Sequence, residues 1–128
     1  MSGIAGILRR DGRPIPEKWV KWLEEAISQR GSDGAGKFQD TIEVSTGTLE
    51  IVLLHQQMGS NDISQPIVFE RDDEYTAVVV IDGPADCAPR SLPISFPVDV
   101  PYAAAWWDAN DLQLHLIRGG SGQKPLYM

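Results

Sequence analysis

Met1-Ser2-Gly3-Ile4-Ala5-Gly6 opens the chain, and how this stretch is read decides the fold. From Ser2 to Arg9 small and apolar residues alternate (Ile4, Ala5, Ile7, Leu8), the pattern of a buried first strand. Three later stretches bear on that reading: Arg30-Gly31-Ser32-Asp33-Gly34-Ala35-Gly36, Val80-Ile81-Asp82-Gly83 and Gly122-Gln123-Lys124-Pro125-Leu126-Tyr127.

Between these stretches the chain reads as one helix and several strands. Asp11-Gly12 is a turn signal, and Pro16 suits the first position of a helix. From Glu17 to Gln29 the residues Trp19, Val20, Trp22, Leu23, Ala26 and Ile27 keep a helical period, with charges on the opposite face. The two tryptophans are expected as core anchors, and Gly31 as the stop. Arg30 to Gly36 reads as a glycine-rich loop. Thr41–Val44 and Thr48–Met58 read as strands, the second carrying the apolar run Leu49 to Leu54 expected of a strand covered on both faces. His55 follows and reads as a satisfied structural histidine. Glu70 to Glu74 is a solvated turn of charge, and Tyr75 to Ile81 has strong β character. Residues 84–100 hold Pro84, Pro89, Pro93 and Pro97 and no helical period, with Cys87 an incidental thiol among them. Tyr102–Asp108 and Leu112–Arg118 form a hairpin.

Composition narrows the function. With 128 residues one domain is the natural count, and 42 % hydrophobic with 23 % charged residues is ordinary for a globular chain. A net charge of −7 lacks the basic footprint of nucleic-acid binders and disfavours an anionic membrane surface. One cysteine excludes an internal disulfide framework. No apolar run approaches membrane-spanning length and no signal peptide opens the chain, so a cytoplasmic location is expected. The two histidines and one cysteine lie too far apart in sequence for a zinc-type ligand set. No cofactor is expected either.

Taken in order, the four stretches resemble the glutaminase domain of class II glutamine amidotransferases, in the asparagine-synthetase branch. Those domains read Met-Cys-Gly-Ile-x-Gly, Arg-Gly-Pro-Asp-Gly, Asn-Gly-Glu and Gly-x-Lys-Pro-Leu-Tyr, so the resemblance spans nearly all of residues 1–128. It implies a reduced α/β/β/α sandwich of two antiparallel sheets, the N-terminal-nucleophile hydrolase architecture. Pattern alone gives an α+β protein rich in strands.

The same resemblance assigns roles, and the chain departs from them. In the family the Cys exposed by Met removal attacks the glutamine amide while its own α-amino group, of pKa about 7.7–8.0, moves the proton. Ser2 stands at that position. A family Arg grips the substrate α-carboxylate with its planar fork, and here Gln57 takes its place. The family Asn of the oxyanion hole is Asp82, followed by Gly83. Losing one oxyanion donor costs roughly 100–1000-fold in rate, and an ionised Asp accepts where a donor is required. Arg30, Gly31 and Asp33 keep the loop that helps shape the glutamine pocket. The family segment carrying the carboxylate for the substrate amino group has no counterpart among residues 84–100.

These departures imply a degenerate glutaminase-like domain without glutaminase activity, acting as a binding or regulatory subunit beside a separate synthetase subunit. The alternative is an active N-terminal-serine amidohydrolase, with Ser2 as nucleophile after Met1 removal, acting on glutamine or another amide. The synthetase domain is not expected within residues 1–128. A strand or sheet face near Met128 is expected to lie open and to be closed by a homodimer.

Overall fold

Leu49 to Leu54 forms the middle of the molecule, and its apolar character on both faces dictates the layers around it. The computed structural model describes residues 3–28, 34–57, 64–83, 87–96 and 101–119. In chain order these form β1 (Gly3–Arg9), α1 (Glu17–Ser28), β2 (Gly34–Val44), β3 (Gly47–Gln57), β4 (Ile67–Arg71), β5 (Glu74–Asp82), β6 (Tyr102–Asp108) and β7 (Gln113–Gly119). All strand pairings among them are antiparallel. Sheet A has the order β1-β3-β2 and sheet B the order β4-β5-β6-β7.

Because side chains alternate along a strand, β3 serves two cores. Leu49, Ile51 and Leu53 point into the space between the sheets and meet Val78, Val80, Ala105 and Trp107 of sheet B. Val52 and Leu54 point the other way, to Val20 and Ile27 of α1 and to Ile15 before it. A third cluster lies on the far face of sheet B, where Cys87, Ala88 and Phe96 cover Ile81, Tyr102 and Ala104. Phe96 stacks on the Tyr102 ring, with centroids 5.5 Å apart. The chain is thus α+β, with two antiparallel sheets packed face to face and a helix over one of them. Among the described residues α1 is the only helix of any length, and an irregular, bent segment takes the place expected for the second helical layer on sheet B.

Two buried polar contacts tie the layers together. Glu50 is buried on the helix side of β3. Its carboxylate accepts the Ile15 N–H at 2.6 Å and the Thr41 hydroxyl at 2.8 Å, fixing the approach to α1. Between the sheets the Tyr75 hydroxyl donates to Asp40. Burial, then that carboxylate, push the Tyr75 pKa up to about 12, so it remains a donor throughout the physiological range.

Several expectations need correction. Trp22 is 59 % exposed and carries Lys18 over its ring, so it anchors nothing. Trp19, half-buried under the Arg9 guanidinium, does pack against the helix-side cluster, whereas Ala26 is exposed. The helix shows the core only a narrow stripe, Val20 and Ile27 with Trp19 and Leu23 beside them. Strand β2 starts at Gly34, inside the expected loop, because a full partner strand pairs with it from Gln57 back to Gly47. Glu70 and Arg71 belong to β4, and the turn is Asp72–Asp73, both with positive φ. Cys87 is buried in the sheet B cluster and is therefore a packing residue. No helix among the described residues is long and apolar enough to cross a membrane.

Replacing Glu50 with Ala strands the buried Ile15 N–H and removes the acceptor of the Thr41 hydroxyl, and is expected to cost about 1–3 kcal/mol. Trp22→Ala should stay within about 0.5 kcal/mol. Urea unfolding midpoints at unchanged slope measure both.

Candidate functional site

One end of the sandwich gathers the strand ends that matter. β1 begins at Gly3, opposite Gln56, and β2 begins at Gly34, opposite Gln57, where β3 ends. In sheet B, β5 ends at Asp82 opposite Ala103, and β6 begins at Tyr102 opposite Gly119, the last residue of β7. The two sheets meet at this same end. Gly36 passes so close to the chain before β4 that a Cβ there would lie 1.8 Å from the Gln65 carbonyl oxygen. The Gln65 side-chain oxygen in turn accepts the Ile81 N–H at 2.8 Å, and the Gln65–Pro66 peptide bond is cis.

Two polar side chains occupy the space between the sheets here. His55 shares a face with Leu49, Ile51 and Leu53, while Asp82 shares one with Val78 and Val80. Both therefore point inward, and they are 3 % and 5 % exposed. Burial holds the His55 pKa below its usual value of 6.5, and the Asp82 charge opposes that only in part. His55 is thus a neutral imidazole at neutral pH. Its Nε2 has no hydrogen-bond partner among the described residues, which corrects the expectation of a satisfied structural histidine. Gly83 continues the strand end against Tyr102, whose Cβ would lie 2.8 Å from a Cβ at Gly83.

Of the sequence-derived site residues, Asp82 and Gly83 sit at this end. Gln57 closes β3 there, although its side chain lies outside what is described. Ser2, Arg30, Gly31 and Asp33 lie outside the described residues. The described residues Gly3 and Gly34 lie at the same end of the sandwich as Asp82. Sequence reasoning missed the pairing of His55 with Asp82 and the role of Gln65. The signal was available in the strand alternation, which places both residues on inward positions.

A cavity of about 130 Å³ opens nearby, lined by residues of α1, β2 and β3 including Ile27, Gly36, Leu54 and His55. Glu24 and Lys37 pair at its rim at 3.9 Å, both half exposed. It falls well below the roughly 300–1,000 Å³ of typical small-molecule sites. Among the described residues no group of three or more His, Cys, Asp or Glu side chains could hold a metal ion. No protein-family model, curated protein or solved structure matches the chain. What the arrangement offers chemically is a buried carboxylate beside a neutral imidazole: a proton acceptor and a hydrogen-bonding ring.

Two measurements follow from this geometry. Gly36→Ala forces Gln65 or β2 to move and should cost about 1–3 kcal/mol or more, read from thermal or urea unfolding. The His55 pKa is lower folded than unfolded, so the unfolded chain takes up a proton first as pH falls. The stability that neutral His55 supplies is complete above about pH 6.5 and is lost below it. Unfolding at pH 7.5 and 5.5 should show a fall that His55→Gln diminishes, since both proteins share every other titrating group.

Proposed function

We propose that the chain is a glutaminase-like domain of the class II amidotransferase type, with the N-terminal-nucleophile sandwich, that has lost glutamine hydrolysis and serves as a binding or regulatory subunit. Two packed antiparallel sheets with a helix on one of them are compatible with that sandwich. The motif-like stretches support it further. The described residues next to those stretches, Gly3, Gly34 and Gly119, lie at the same end of the molecule as Asp82 and Gly83.

The observation that carries the loss of activity is Asp82. Amide hydrolysis passes through a tetrahedral oxyanion, and the site must aim donors at it. Here the position is held by a carboxylate buried at the end of a central strand. At about 4 Å, two like charges repel by on the order of 4 kcal/mol at an effective dielectric constant near 20. His55 is neutral and does not offset that charge. With Ser2 for the thiol and Gln57 for the cationic clamp, binding and chemistry are both weakened. In this reading the domain works by contact with another protein, such as a separate synthetase subunit or a second copy.

Purified protein is expected to release no ammonia from glutamine above a boiled control, and calorimetry should detect no glutamine binding at millimolar concentration. Ser2→Cys alone should leave the protein inactive, because the clamp and the oxyanion donor stay missing. Hydrolysis that disappears in Ser2→Ala would overturn the reading and establish the N-terminal-serine amidohydrolase instead.

A further inference from the structure

Sheet B is one strand wider than sheet A, and the excess lies on one side. β2 lies over β4 and β5: Gly36 approaches Gln65, and Phe38 packs edge to face on Tyr75 with ring centroids 5.1 Å apart. β1 lies over β5 and β6. β7 therefore projects beyond β1. Burial agrees with this. Leu116 stands opposite Ala105, which stands opposite Val80, so the three share the face turned toward sheet A. Val80 and Ala105 are buried there, whereas Leu116 is 38 % exposed. Beside this apolar shelf, the outer edge of β1 has no strand partner among the described residues.

An open edge over a one-strand-wide apolar shelf has the shape of a missing strand. Its ends carry positive charge. Arg118, two residues along the same face from Leu116, is exposed at the end where β1 begins. Arg10 follows β1 at the opposite end and donates to the Leu112 carbonyl oxygen at 2.5 Å. The nearby Asp11 is already held by Arg9 at 2.8 Å. The inward-facing order along the slot is thus cation, Leu116, Leu114, cation.

A second copy does not fit at this edge. If its β1 were added to this one, its own projecting β7 would enter the space this β7 fills. We infer that the β1 edge and the β7 shelf form a docking slot for one extended segment of a partner protein, with two inward apolar residues flanked by acidic ones. Backbone bonds to β1 supply the pairing, as in strand addition generally, and the alternate side chains supply selectivity. The inference rests on sheet geometry and charge alone, and stands whether or not the domain descends from a glutaminase.

The probe is a capped Glu-Thr-Val-Thr-Val-Thr-Glu peptide, symmetric in charge so that either direction fits, titrated into the full-length isotope-labelled chain. Saturable shifts are expected for the Ile4 to Leu8 amides and around Leu116. Leu116→Glu, at an exposed position, should weaken binding about tenfold without lowering thermal stability. Arg118→Glu should weaken it severalfold, and a peptide with lysine for one glutamate should recover that loss. No shifts at millimolar peptide, equal binding of a lysine-flanked twin, or shifts at the β2 or β4 edge instead would each overturn the inference. So would exchange protection of the Ile4 to Leu8 edge amides without peptide, since the slot would already be filled.

Discussion

Everything in this molecule depends on β3 being buried on both faces. A strand covered once needs one partner layer. One covered twice fixes two, and it fixes them in register, because a slip by one residue would exchange Leu53 for Leu54 and turn every side chain to the wrong core. The helix, both sheets and the polar tie of Glu50 to Ile15 and Thr41 follow from that placement. Farther along the same face the apolar run gives out at His55, and a polar pair lies between the sheets.

That end of the sandwich combines close backbone approach with buried polarity. Gly36 lets the chain before β4 come within reach of sheet A, and Gln65 uses its side chain to bond β5 where a strand would use its backbone. The consequence is close packing around Asp82. The chemistry that the end of β5 can support is set by the residue type that this packing encloses.

Much of the architecture was legible in the residues because burial writes itself into periodicity. The apolar run of β3, the β-branched run of β5 and the alternating leucines of β7 each state their period plainly. The failures share a cause. Trp22 and Ala26 fit the helical period, yet the sheet face under α1 is narrow and leaves them outside. β2 was hidden by its glycines and polar residues, which reflect an edge strand organised by its neighbour rather than by its own propensity. The strand β4, five residues long and mostly charged at its end, offers too little pattern to be read at all. At the candidate site the residue types and their inward positions were readable from strand alternation, while which inward residues come near each other, His55 and Asp82 from strands 27 positions apart, is set by the packing.

The irregular cover of sheet B has a consequence for how the native state breathes. A helix laid on a sheet carries its own ladder of backbone bonds and tends to leave as a unit. The segment from Cys87 to Phe96 packs on the sheet through apolar side chains, notably the stacking of Phe96 on Tyr102. It belongs to none of the described strand pairings, and a cover that can lift without breaking a sheet lies toward the low end of the ladder of partial openings. Cys87, the chain's single thiol, lies beneath that cover. The chain therefore carries its own reporter of sub-global opening, in a place where the reagent sees the cover lift before the sheets come apart.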